Sequence, residues 1–186
     1  MDKNFFRKKY NKLRTQLSPE DIEAMSLDIS NRALELPIWE GIYYHIFLSI
    51  SERREVETEF LLHILQGRDK SIVVSKTNFK NYEMEHFLLQ ENTHLVVSNY
   101  GIPEPVDGIE IAIEKLDVVF IPLLAFDVKG NRVGYGKGCY DRFLSKCKAN
   151  TLFVGLSLFE PELSIPSTSE DIKLHYCVSP NKIFSF

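Results

Sequence analysis

The chain has little that would tie it to a membrane, a metal cluster or an oxidising compartment. No apolar stretch in its 186 residues approaches the ~20 needed to cross a bilayer. The N-terminal MDKNFFRKKYNKLR lacks the apolar core of a secretory signal. Cysteine is scarce and odd in number: Cys139, Cys147 and Cys177 form no CxxC pair. Free thiols in a reducing compartment fit better than a disulfide framework. The five histidines show no HExxH or similar spacing, which removes the usual zinc pattern. Internal repeats and low-complexity segments are absent too. A net charge of −4 argues against nucleic acid as the main ligand. What remains is an ordinary single domain spanning 1–186, expected to be cytoplasmic, without membrane partners and monomeric.

Charge is not evenly spread. Residues 1–14 carry Lys3, Arg7, Lys8, Lys9, Lys12 and Arg14 against Asp2 alone. A solvated basic helix explains such a run. Lys3 and Arg7 also stand at i and i+4, on one helix face, where two cations could meet an anion.

Helix and strand patterns alternate along the chain. Ser18-Pro19-Glu20-Asp21 combines a capping serine with proline at the first helical position. Ile22, Met25, Ile29 and Ala33 then mark one face, and Pro37 ends the segment. The residue pattern predicts strands at 42–48, 71–75, 116–121 and 152–156, with shorter ones near Met84 and Leu95. Helices are predicted over 55–65 and 137–147. Two prolines and two glycines between Gly101 and Gly108 predict a loop. This alternation implies an α/β fold with a largely parallel open sheet, and ligands beyond the carboxyl ends of its strands.

The stretch from Asp117 to Leu144, DVVFIPLLAFDVKGNRVGYGKGCYDRFL, carries the most chemistry. It reads as a buried strand, a polar turn, a glycine-rich loop and a helix whose apolar face is Tyr140, Phe143, Leu144 and Cys147. Gly134, Gly136 and Gly138 alternate with other residues beside Arg132, Lys137 and Arg142. Such a loop lets backbone approach an anion closely, and phosphate is the obvious candidate. It is not a Walker A loop, because five residues separate Gly130 from Gly136 and Gly138 follows Lys137. Nor is it a dinucleotide fingerprint, since Cys139 stands where a glycine is needed. A solvated flexible turn is the bland alternative. Asp127, Arg132, Lys137, Tyr140 and Asp141 weigh against it, because phosphoryl chemistry joins cations to a metal-holding carboxylate.

The residues IPLLAFDVKGNRVGYGKGCYDRFL resemble the signature of 5-formyltetrahydrofolate cyclo-ligases, also called methenyltetrahydrofolate synthetases. Pro122, Leu124, Ala125, Phe126, Asp127, Gly130, Arg132, Gly134, Gly136, Gly138, Tyr140, Asp141 and Arg142 match the family pattern. Leu123 departs where the family usually has glycine, and Cys139 where it usually has tyrosine. Through the resemblance, a three-layer α/β/α architecture is expected. So is ATP- and Mg2+-dependent conversion of 5-formyltetrahydrofolate to 5,10-methenyltetrahydrofolate.

The same resemblance distributes the roles. Lys3, Arg7, Gly134, Gly136, Lys137, Gly138, Tyr140 and Asp141 are implied at the nucleotide, with Arg14 as a further candidate in Arg14-Thr-Gln-Leu17-Ser18. Lys137, Arg132 and Tyr140 are implied as catalytic. Asp141 and Asp171 are implied as metal ligands, with His175 where the family often has a second acid. Glu55, in the family's Glu-(Val/Ile)-(Asp/Glu)-Thr segment, is implied at the pterin with Leu48 or Ile50, Met84 and Phe126. On residue chemistry alone Glu55 could equally favour a helix start, Met84 fill the core and Asp171 face water. Glu104, in the Gly-Ile-x-Glu-Pro loop, is undecided. Three other functions stay open: a different α/β enzyme acting on a sugar phosphate or thioester, a diverged binder without turnover, and a nucleic-acid binder using the basic first helix. ATP-independent isomerisation would mark the first. Ligand binding without turnover would mark the second, and steep salt-dependent binding the third.

Overall fold

In the computed structural model, which describes residues 1–186, Asp2 opens the first helix, α1 (Lys3–Arg14), by accepting the Phe5 amide at 2.9 Å. Lys12 and Arg14 lie in its last turn, where positive charge suits the helix dipole. The second helix, α2 (Pro19–Ala33), begins as the sequence implies. Ser18 and Asp21 bond each other's backbone amides at 3.0 and 2.8 Å, a complete capping box. Ile22, Ile29 and Ala33 turn inward with Ser26 and Ser30, while Met25 stays half-buried.

The strand predicted over 42–48 is regular only as β1 (Tyr43–His45). A short 3-10 turn, Ser51–Arg53, follows. Next comes α3 (Glu59–Gly67), four residues later than the pattern 55–65 suggested. The delay has a cause in cross-loop bonds. The Glu55 carboxylate accepts the Ile50 amide, and the Glu57 amide donates to Ser26 Oγ. Thr58 donates to Ser49 Oγ through its amide and to the Phe47 carbonyl through its hydroxyl. Residues 55–58 are thereby drawn to neighbouring elements instead of into a helical turn.

β2 (Ser71–Asn78) runs beyond its predicted end and hairpins into β3 (Glu83–Leu88). The segment around Leu95 is β4 (Leu95–Val97). The predicted loop at 101–108 contains β5 (Pro103–Pro105), paired antiparallel with β4. Proline is tolerated there because the little two-stranded sheet makes few ladder bonds. β6 (Val118–Pro122), β7 (Ala125–Phe126), β8 (Arg132–Val133), α4 (Cys139–Leu144) and β9 (Leu152–Leu156) fall inside the signature region and just after it. β10 (Tyr176–Val178) and β11 (Ile183–Ser185) were not anticipated.

The main sheet has the order β11-β10-β9-β6-β1-β2-β3. Its five central strands are parallel, and β3 and β11 run antiparallel at the edges. Side chains alternate across it. Val118 and Phe120 join Ile29 and Ala33 of α2 and Leu61 and Leu65 of α3 on one face. Val119 and Ile121 join Phe143 and Leu144 of α4 on the other. The fold is therefore α/β with a largely parallel sheet covered on both faces. α1 packs separately, placing Phe6 and Tyr10 against Leu124, Ala125 and Val133. No helix is long and apolar enough to cross a membrane.

Candidate active site

A cleft of about 1060 Å3 opens at the carboxyl ends of β1, β2 and β6, where ligands collect in open α/β sheets. Phe47, Leu48 and Ile50 follow β1, Ser75 and Thr77 belong to β2, and Pro122 ends β6. The glycine loop and one end of α1 close the other side. Lys3, Arg7, Arg132, Gly134, Gly136, Lys137, Gly138, Tyr140, Asp141 and Asp171 all line this space, as do Leu48, Ile50, Glu55 and Met84.

At the loop end, helical spacing turns Lys3 and Arg7 towards residues far along the chain. Arg7 Nε donates to the Gly134 carbonyl at 3.0 Å, and Lys3 Nζ pairs with Asp171 Oδ1 at 2.5 Å. Gly136 and Gly138 have φ of +92° and +69°, and a Cβ on Gly136 would stand 2.9 Å from the Arg7 guanidinium carbon. The loop is therefore shaped around Arg7, and an added side chain would displace that cation. Lys137 is exposed, with its Nζ 5.8 Å from the Tyr82 ring centroid. Arg132 is buried and donates to Asp141 Oδ1 at 2.7 Å and to the Ile172 carbonyl. Burial pulls the Arg132 guanidinium below its usual range, and Asp141 works against that pull. Burial also tends to raise Asp171, but its bonds from Lys3 and Thr168 leave it below the usual carboxylate range.

In the segment after β1, Glu55 is 4% exposed. Its Oε2 accepts the Ile50 amide at 2.8 Å and its Oε1 accepts the Tyr135 hydroxyl. Burial raises Glu55 despite these bonds and the nearby Arg14 and Arg53. Burial likewise pushes the Tyr140 hydroxyl well above its usual range, and the Glu55 charge adds to this. Tyr140 lines the cleft from the start of α4, with its ring centroid 6.0 Å from that of Phe143. Cys139 lines the cleft as a smaller neighbour, its thiol raised by burial.

Several expected residues lie elsewhere. Phe126 is fully buried and does not line the cleft; its ring packs edge-on against Phe184 at 5.1 Å. Its assignment to the pterin is corrected to a core role, because β7 directs it beneath the main sheet with Val119 and Ile121. Asp127 is also fully buried, accepting the amides of Lys129, Asn131 and Ile165 and the Asn131 side chain. It braces the turn after β7. Glu104 bonds the Thr77 amide and ties β5 to β2. His175 accepts the Phe153 amide through Nδ1 and does not line the cleft. Arg14 is buried behind the site, donating to the Leu123 carbonyl at 2.8 Å and the Tyr135 hydroxyl at 2.9 Å.

Sequence reasoning missed Tyr135 and Arg53, although Tyr135 stands between two signature glycines and could have been flagged by position. It also missed Phe79 and Tyr100, whose rings stack at 3.8 Å on the cleft wall. Residues 79 and 100 come together only through the β2–β3 turn and the β4–β5 hairpin, and no local pattern signals that.

No three His, Cys, Asp or Glu residues stand together as a metal-holding group. Asp141 Oδ1 is taken by Arg132 and the Ile172 amide, leaving Oδ2 without a bond inside the chain. Mg2+ characteristically takes one or two carboxylates and fills its remaining positions with phosphate oxygens and water. The donor set fits an ion that arrives with a phosphate ligand. Asp171 has both oxygens engaged, by Lys3 and by Thr168, and is the less open of the two carboxylates.

The chain resembles known proteins along nearly its whole length. The model of the "5-formyltetrahydrofolate cyclo-ligase family" matches residues 1–180. A "Probable 5-formyltetrahydrofolate cyclo-ligase" of Schizosaccharomyces pombe is 29% identical, over 98% of this chain and 97% of its own. The 5-formyltetrahydrofolate cyclo-ligase of Haemophilus influenzae is 28% identical, over 82% of each chain. Among solved structures, the Aquifex aeolicus 5,10-methenyltetrahydrofolate synthetase superposes with a TM-score of 0.84 at 28% identity. That match covers 100% of this chain and 93% of the other.

Proposed function

The chain belongs to the 5-formyltetrahydrofolate cyclo-ligase family, and from that premise we propose that it makes 5,10-methenyltetrahydrofolate in an ATP- and Mg2+-dependent reaction releasing ADP and phosphate. One observation carries the reading. A single cleft is lined both by a cation-rimmed glycine loop and by the buried Glu55 carboxylate with the apolar Phe47, Leu48, Ile50 and Met84. That arrangement suits two ligands, one polyanionic and one a flat heterocycle.

The formyl oxygen of the substrate is a poor leaving group, and ATP with Mg2+ supplies the phosphoryl group that lets it depart as phosphate when N10 attacks the formyl carbon. The chain need provide no covalent nucleophile; its task is alignment and charge. Lys3, Arg7, Lys137 and the glycine-loop amides hold the phosphates. Asp141 would offer its free oxygen to the cation, with Arg132 fixing the other. Asp171 would be a second carboxylate for that cation. Each Glu55 oxygen keeps a lone-pair direction for the amino-pyrimidine edge. Leu48, Ile50 and Met84 face the rings, and Tyr140 lies between the two ligands.

The test mixes purified protein with 5-formyltetrahydrofolate and Mg2+, with and without ATP, and follows methenyltetrahydrofolate absorbance. An ATP-dependent rise is expected, and Lys137→Ala should lower kcat far more than stability because Lys137 is exposed. Nucleotide binding without a rise would point to another acceptor substrate. A Lys137→Ala protein with unchanged kcat/KM would remove that lysine from the reaction.

A further inference from the structure

Tyr135 belongs to the loop assigned to phosphate, between Gly134 and Gly136, yet its hydroxyl reaches Glu55, which comes from the segment after β1. The direction of this bond is fixed by what lies behind it. Arg14 Nη1 donates to the Tyr135 oxygen at 2.9 Å. A guanidinium can only donate, so the single hydroxyl proton is free to point at Glu55. Arg14 is itself 3% exposed and held by the carbonyls of Leu123 and Arg53 at 2.8 and 3.2 Å. The Arg53 guanidinium covers the Tyr135 ring at 4.7 Å from its centroid. Glu55 forms no ion pair. Its carboxylate is oriented by two neutral donors, the Ile50 amide and the Tyr135 hydroxyl.

We propose that Tyr135 is a positioning residue for the cyclisation: oriented by Arg14, its hydroxyl aims the Glu55 carboxylate at the substrate and ties that carboxylate to the nucleotide loop. The inference rests on the reading of Glu55 as the substrate contact. It assigns the loop a second task, since a ligand that orders residues 134–136 also orders Glu55. Binding of the two ligands is then coupled, and by linkage each should tighten the other by the same factor.

The first experiment needs no turnover. In protein labelled with carboxyl-13C glutamate, the Glu55 resonance is the one lost in Glu55→Gln, and its pH midpoint is compared with that in Tyr135→Phe. Loss of the hydroxyl donor should raise the midpoint by about one pH unit, a tenfold change in proton affinity. An unmoved midpoint overturns the proposal. The second experiment is kinetic. Tyr135→Phe should raise KM for 5-formyltetrahydrofolate about tenfold, the scale of one lost hydrogen bond to a charged group, and more than it lowers kcat. In a Glu55→Gln background the same change should add nothing. A fall in kcat with KM unchanged, or full additivity, overturns the role. A wild-type protein that turns nothing over while the midpoint still moves would sink the proposed reaction, and the role in cyclisation with it, but leave the bond established. A moving assay with an unmoved midpoint would sink this inference alone.

Discussion

Mild acid should destabilise this enzyme through two histidines outside the cleft. His45 and His86 are 0% and 2% exposed, and none of their ring nitrogens has a hydrogen-bond partner. The Phe120 backbone approaches His45 without reaching bonding geometry. The two imidazoles lie 5.5 Å apart, and Phe143 packs on both, at 4.9 and 4.3 Å. Burial therefore favours their neutral forms. It lowers His86 from its usual 6.5 to about 4. It also holds His45 well below the usual value, with the neighbouring His86 adding to the effect. Both folded values lie below the unfolded one, so the unfolded chain takes up these protons first. The contribution is complete above about pH 6.5 and drains away as pH falls towards the folded values. Between pH 7 and 5, His86 alone should remove about 2 kcal/mol, a substantial part of a typical 5–15 kcal/mol stability.

Glu55 acts in the opposite sense. Its folded carboxyl is raised by burial, so it protonates before the unfolded one and adds stability as pH falls. The overall profile mixes the two, and a variant must separate them. His86→Leu keeps an apolar side chain of similar volume and removes the titrating group. Urea unfolding of both proteins at pH 7 and pH 5 gives four free energies. The wild type should lose about 2 kcal/mol more than the variant over that interval. Equal losses in the two proteins would refute the argument that His86 is held neutral by its surroundings.

Three further outcomes follow from named contacts. Gly136→Ala places a Cβ against Arg7 in a left-handed backbone; it should cost about 1–2 kcal/mol in strain and raise KM for ATP about tenfold, read by denaturation and by kinetics at varied ATP. Asp141→Asn deprives buried Arg132 of its ionic partner and should cost about 2 kcal/mol, while the Mg2+ titration of activity moves to higher concentration. An unmoved Mg2+ titration would leave Asp141 as the partner of Arg132 only. Phe126→Leu should lower stability by about 1 kcal/mol with KM for 5-formyltetrahydrofolate unchanged; a raised KM would reinstate Phe126 at the substrate.

Much of the fold was legible because the decisive signals are local. The Ser18–Asp21 capping box, the apolar run from Val118 to Ile121 and the 152–156 strand each announce themselves within a few residues. The errors fall where distant groups override local preference. Residues 55–58 look helical, but their side chains and amides bond Ser26, Phe47, Ser49 and Ile50. Pro103 and Pro105 look like breakers, yet only a short two-stranded ladder is needed to hold them. β10 and β11 are three-residue strands, too short for periodicity to show.

The site divides along the same line. A sequence can reveal which residue types a loop offers, and the spacing of Gly134, Gly136 and Gly138 did so. Orientation depends on bonds that span most of the chain: Lys3 to Asp171, Arg7 to Gly134, and Arg14 through Tyr135 to Glu55. All three begin on α1, whose residues 3, 7, 10 and 14 recur at helical spacing and share a face. That face does more than present cations to a phosphate. Tyr10 buries it against β7 and β8, Arg7 shapes the glycine loop, and Arg14 bonds the Tyr135 hydroxyl that holds the Glu55 carboxylate. The basic composition of the N-terminus was readable as charge. Its main structural consequence, tying the glycine loop and Glu55 to one helix, resides in the helical phase of those four residues and in what they meet across the fold.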